Sequence, residues 1–95
     1  MINRKMLKQA QELQSRILKA QEEIARLTVE ASAGGGAVTV VMTGQPRVQE
    51  VRISPEAAAD PEVLPDLIVA AVNEALTKAQ ELTSKHLGSL GIPGM

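Results

Sequence analysis

Five cationic side chains crowd the start of the sequence: Arg4, Lys5, Lys8, Arg16 and Lys19, with Glu12 the one acid among the first twenty residues. Ammonium and guanidinium groups at that density can hold the oxygens of a polyanion, phosphates above all, by charge-assisted hydrogen bonds. On a heptad wheel Lys5 and Lys19 share a position with Arg26 and Glu12, while Lys8 and Arg16 flank it, so the cations form a stripe along one helix face. Two readings of the stripe are open: a track for phosphates, or a solvated face opposite an apolar one. Arg26 has Glu22 and Glu23 beside it, which offer it a local ion pair. Much later, Lys78 and Lys85 lie one heptad apart with His86 next door, and they extend the same choice to a second segment.

Other chemistries find few reagents here. There is no cysteine and one histidine, so thiolate catalysis, disulfides and the usual zinc sets are excluded, and His86 has no evident metal partner or nucleophile. Catalytic residues, metal ligands and cofactors are therefore not expected. Gly34-Gly35-Gly36 lacks the lysine and Ser/Thr-led helix of a phosphate cradle and reads as a hairpin turn. Between residues 56 and 74 stand Glu56, Asp60, Glu62, Asp66 and Glu74 with no base among them; interrupted by prolines, they fit a solvated surface that would repel a polyanion. Because Phe, Tyr and Trp are absent, stacking on single-stranded bases, worth about 1–3 kcal/mol each, is unavailable. Asn3, Gln9 and Gln11 could reach base edges, but nothing fixes them there.

The elements that must position these groups follow from periodicity. Met6, Ala10, Leu13, Ile17, Ala20, Ile24 and Leu27 repeat in alternating steps of four and three, the seam of a coiled coil or of a helix packed into a core. Leu7, Leu18 and Ala25 widen this face beyond what one neighbour would cover. The period then falls to two, predicting strands over 28–33, 37–43 and 47–53, separated by turns short enough to force an antiparallel meander. Val38, Val40 and Met42 should face one way, Thr39, Val41 and Thr43 the other. Ser54-Pro55 opens a short helical turn. A second long helix starts between Pro61 and Pro65, ends near Gly88, and carries a seam of Leu64, Leu67, Ile68, Ala71, Val72, Ala75, Leu76, Ala79 and Leu82.

The expected fold is α+β, with the two helices covering one sheet face in a single domain over 1–88 and a flexible Gly/Pro tail over 89–95. A first helix of about 40 Å outruns strands of about 20 Å, so its basic end must project. Ninety-five residues bury little apolar surface, which points to a second copy of the chain. Neither a secretory signal nor a membrane span is predicted.

Three stretches carry a family resemblance: Met6-Leu7-Lys8-Gln9-Ala10-Gln11, Ala33-Gly34-Gly35-Gly36-Ala37-Val38 and Leu67-Ile68-Val69-Ala70-Ala71-Val72-Asn73-Glu74-Ala75. In order and spacing the chain resembles the YbaB/EbfC family of bacterial nucleoid-associated proteins over nearly its whole length. Leu90-Gly91-Ile92-Pro93-Gly94 is similar to that family's tail. Ser54 stands where the family usually has an acidic residue before proline, and the leader before Met6 is short, which would shorten the arm. The resemblance implies a cytoplasmic, nucleoid-associated homodimer with protruding helices that binds double-stranded DNA with low sequence preference, and implies neither a membrane nor a small-molecule substrate. Arg4, Lys5, Lys8, Arg16, Lys19, Lys78 and Lys85 become the expected DNA contacts, and the seam from Met6 to Leu27 the expected dimer or core contact. A prefoldin-like chaperone with coiled-coil tips and a structural adaptor are the alternatives; the first would need apolar tips, the second a docking site in the acidic middle.

Overall fold

The first helix, α1 (Arg4–Arg26), begins where the Asn3 carboxamide oxygen accepts a hydrogen bond from the Met6 amide at 2.8 Å, and stops where Leu27 turns extended. A computed structural model describes residues 3–88, and the tail expected over 89–95 lies outside them. Three strands follow, β1 (Thr28–Ala33), β2 (Val38–Thr43) and β3 (Val48–Ile53), joined as an antiparallel meander in the order β1-β2-β3. Ala31 pairs with Val40, and Val40 with Val51. The first turn uses Gly34, Gly35 and Gly36 in the left-handed region, at φ 64°, 67° and 94°; three side-chain-bearing residues in a row would be strained there.

Ser54 caps α2 (Pro55–Ala58), its hydroxyl oxygen accepting from the Ala57 amide at 3.2 Å, with Pro55 in the first turn. Asp60 then receives the amides of Val63 and Leu64 on its side-chain and backbone oxygens as α3 (Leu64–Gly88) starts. The core consists of Ala31 from β1, Val38, Val40 and Met42 from β2, and Ala71, Ala75 and Ala79 from α3. With no ring to bury, the fold gains its contact by bringing a stripe of alanines close against the sheet.

Two features differ from expectation. Only α3 covers the sheet, lying over β1 and β2, while α1 meets the far end of β2 and the last turns of α3. The cause is a backbone clasp: the Gly44 amide is shared between the carbonyls of Ile24 at 3.1 Å and Leu27 at 3.0 Å, which pins the last turn of α1 to the β2–β3 turn. A Cβ built on Gly44 would lie 2.6 Å from the Ile24 carbonyl oxygen, so this approach requires glycine. The result is an elongated chain, 66 × 20 × 16 Å. Secondly, every residue of β3 is exposed. The pairing register sets Ile53 and Val51 on the same face as Val38 and Val40, yet α3 does not reach them, and they stay 40% and 41% exposed.

Candidate nucleic-acid interface

The projecting stretch of α1 is the element on which the candidate site is built. Every residue from Asn3 to Arg16 is exposed, and the helix meets its own chain only from Ile17 onward, reaching full burial at Ala20 and Ile24. Behind it, α3 braces the base of this arm. Nε2 of His86 lies 2.8 Å from a carboxylate oxygen of Glu23, and the Thr83 hydroxyl donates to the Gly44 carbonyl at 2.9 Å. A helix held at one end by packing, a backbone clasp and a polar bridge presents its free end in a fixed direction.

Arg4, Lys5, Lys8, Arg16 and Lys19 all lie on this arm, exposed, and none makes an ion pair among the described residues. Lys85, in the last turn of α3, is exposed and without an ion pair in the same sense. The other expected contact on α3 is placed differently. Lys78 donates to the backbone carbonyl of Glu30 at 2.8 Å and lies 3.9 Å from the Glu74 carboxylate, so its ammonium is committed in part to the body of the domain. Among the described residues Arg26 pairs with neither Glu22 nor Glu23, and Glu23 lies against His86 instead. Of the expected seam, Ala20 and Ile24 enter the chain's own core, Met6 and Leu13 remain 52% and 43% exposed, and Leu27 lies just past the helix end.

One cation escaped the sequence reading. Arg47 follows the turn to which α1 is pinned, and its backbone carbonyl accepts from the Thr43 amide. It is exposed, and like the arm cations it makes no ion pair among the described residues. Its only sequence signal was a lone basic residue after Gly44-Gln45-Pro46, which became informative once the clasp brought that turn to the base of the arm. Arg52, by contrast, is held on the outer sheet face by Glu30 and Glu50. The unpaired cations therefore gather on the arm and around its base. Glu56, Asp60, Glu62 and Asp66 sit around α2 and the start of α3, at the glycine-turn end of the sheet and remote from the arm.

Two clefts stand out among the described residues, and the smaller, at the glycine-turn end, includes Glu56 and Asp60 in its lining. The larger cleft, about 530 Å³, lies between α1, α3 and the β2–β3 turn and is lined by Gln21, Ile24, Gly44, Gln45, Pro46, Gln80, Thr83, Ser84 and Leu87. None of these side chains titrates, so the cleft supplies neither a general acid and base nor an activated nucleophile. Among the described residues no group of His, Asp or Glu could hold a metal ion, and no helix is long and apolar enough to cross a membrane.

Comparison with known proteins gives a concordant picture. The model of the YbaB/EbfC DNA-binding family matches residues 2–95. A nucleoid-associated protein of Acetivibrio thermocellus is 54% identical, covering 95% of this chain and 86% of its own. Its namesake in Pelotomaculum thermopropionicum is 48% identical, with 96% and 92% covered, and that of Chloroflexus aurantiacus 42%, with 100% and 99%. The crystal structure of an uncharacterised Helicobacter pylori protein superposes with a TM-score of 0.80 over 97% of this chain and 100% of that one; at 15% identity it bears on the fold alone.

Proposed function

Because this chain belongs to the YbaB/EbfC DNA-binding family, we propose that it grips duplex DNA by the phosphates, as a homodimer, at the nucleoid and with little regard for base sequence. The observation that carries the reading is that Arg4, Lys5, Lys8, Arg16 and Lys19 are exposed, and unpaired among the described residues, on a helix held away from the domain. Cations already satisfied by carboxylates would have to break those pairs to reach a phosphate; these need only exchange water and counterions. From Arg4 to Lys19 the arm cations are spread over about 22 Å of helix, roughly six base pairs of B-DNA. Arg47 and Lys85 add charge at its base, and Lys78 contributes only through the donors its own chain leaves over.

Two copies double the contacts, and the uncovered apolar strip is the surface we assign to the pairing. Val48, Val51 and Ile53 of β3 are 40–48% exposed, with Val69 of α3 at 59%. A second sheet face laid there would remove this strip from water, at about 25 cal/mol per Å². The acids around α2 keep the opposite end off the polyanion, which orients the molecule as it approaches. Nothing in this reading asks for a bond to be made or broken, so the protein acts by binding alone.

An electrophoretic shift with duplex DNA at two salt concentrations tests it. Contact with about six phosphates gives log affinity falling against log salt with a slope near −5. Lys5→Glu with Lys8→Glu should lose DNA retention while leaving the dimer intact; unchanged binding by that folded variant would refute the assignment. The exposed Met6 and Leu13 favour one second reading, a chaperone that grips unfolded chains. Suppression of client aggregation without DNA retardation would select it.

A further inference from the structure

The cationic face is one of two on the arm, and phosphate contact leaves the other unused. At 100° per residue, Met6, Leu7, Ala10, Leu13, Ile17 and Leu18 share an arc of about 140°, facing away from most of the cations. Met6, Leu7, Leu13 and Leu18 are each 43–54% exposed. We propose that this seam receives the arm of a second copy, packed antiparallel, with Met6 of one copy against Ile17 of the other and Ala10 against Leu13.

Continuity supports a helix as the occupant. Ala20 and Ile24 belong to the same heptad seam and are 3% exposed, buried where α3 packs beside them. Toward Met6 the seam runs on with the same spacing, and among the described residues no helix lies against it. An alternation of four and three suits packing against another helix, whereas neither a bilayer nor a DNA groove calls for that spacing. Flanking charge selects the direction. The antiparallel register sets Gln9 beside Arg16 of the other copy and Leu7 beside Gln14, so no like charges meet along the seam. It also sends the two Arg4-Lys5-Lys8 clusters to opposite ends. Parallel pairing would stack them side by side.

The contact spans fewer than two heptads, and helices that short are marginal alone. The pairing should therefore be reversible and should strengthen with salt, which screens the arm cations and leaves apolar burial intact. That dependence is opposite in sign to DNA binding, so this inference goes beyond the DNA reading and does not fail with it. It is also separate from the sheet-face pairing: in a dimer joined through β3, paired arms would link one dimer to the next.

The chain has no cysteine, which makes cross-linking decisive. Full-length Met6→Cys and Ile17→Cys chains are mixed without DNA at low and high salt, oxidised, and the disulfides identified by mass spectrometry. The mixed Met6–Ile17 disulfide should dominate and rise several-fold with salt. Two Met6 positions would lie about 16 Å apart, beyond disulfide reach. Adding Leu13→Lys to both chains should remove the cross-link, whereas Gln11→Lys, off the seam, should leave it; Leu13 is already solvent-exposed, so neither variant threatens the fold. A dominant Met6–Met6 disulfide, or none, would overturn the proposal. So would a mixed disulfide seen only after residues 89–95 are deleted, or arms that sediment with phosphatidylglycerol vesicles and do not cross-link.

Discussion

Lys5 and Lys8 are ordinary surface lysines by type, and their standing depends on what they do not touch. Each has three donors and no carboxylate to receive them within the described residues, so a phosphate oxygen would meet a group that is solvated but uncommitted. On the proposed contacts, reversing both charges in two copies would remove about four phosphate contacts. The salt slope should then fall from about −5 to roughly −2, measurable by fluorescence anisotropy with labelled duplex. Gly44 shows how a residue without a side chain can determine the site. Gly44→Ala forces a methyl group against the Ile24 carbonyl, an overpacking expected to cost about 1–3 kcal/mol. Thermal unfolding should register this as a drop of several degrees, and a variant as stable as the parent would show that the clasp at the base of the arm is looser than described.

At the scale of elements, the arm is useful only if its base is firm. Ile24 is the large apolar side chain buried at that base; Ile24→Ala should lower stability by about 2–5 kcal/mol. It should also weaken DNA binding several-fold at temperatures where the sheet stays folded, because a swinging arm loses the common orientation of its cations. Hydrogen exchange would separate the two effects: amides of α1 should open in this variant while those of β2 stay protected. Elements were legible in the sequence wherever apolar spacing changed period. The strands expected over 37–43 and 47–53 begin one residue later, at Val38 and Val48, and α3 starts within the window set by Pro61 and Pro65. The alanine stripe of α3 was legible for the same reason, since Ala71, Ala75 and Ala79 fall at one-turn intervals. The course of α1 was not. Amphipathicity says that a face will be covered but not by what, and the clasp on Gly44 turns the helix off the sheet through backbone groups that every sequence carries. The engagement of Lys78 and the position of Arg47 depend on that same tertiary path.

For the whole molecule, the uneven placement of charge matters more than its sum. A net charge of −1 would predict indifference to a polyanion, yet among the described residues the unpaired cations gather on the arm and around its base while a run of acids lies toward the glycine-turn end of the sheet. The apolar surface is divided too: the strip on β3 fits a second sheet, and the seam on the arm fits a second helix. If the β3 strip joins two copies, Val51→Glu should leave a monomer in sedimentation velocity with the arm unchanged. DNA affinity should then fall, and its slope should halve with the number of arms. A Val51→Glu chain that remains dimeric would move the interface elsewhere.

The central claim is that phosphate contacts from the arms supply nearly all the binding, and one titration measures that directly. Affinity for a labelled duplex of random sequence is followed from 50 to 200 mM salt and plotted log against log. A line of slope near −5, unchanged when the base sequence is altered at constant length, is the predicted result. An affinity that barely moves with salt, or that depends on base sequence, would contradict the account.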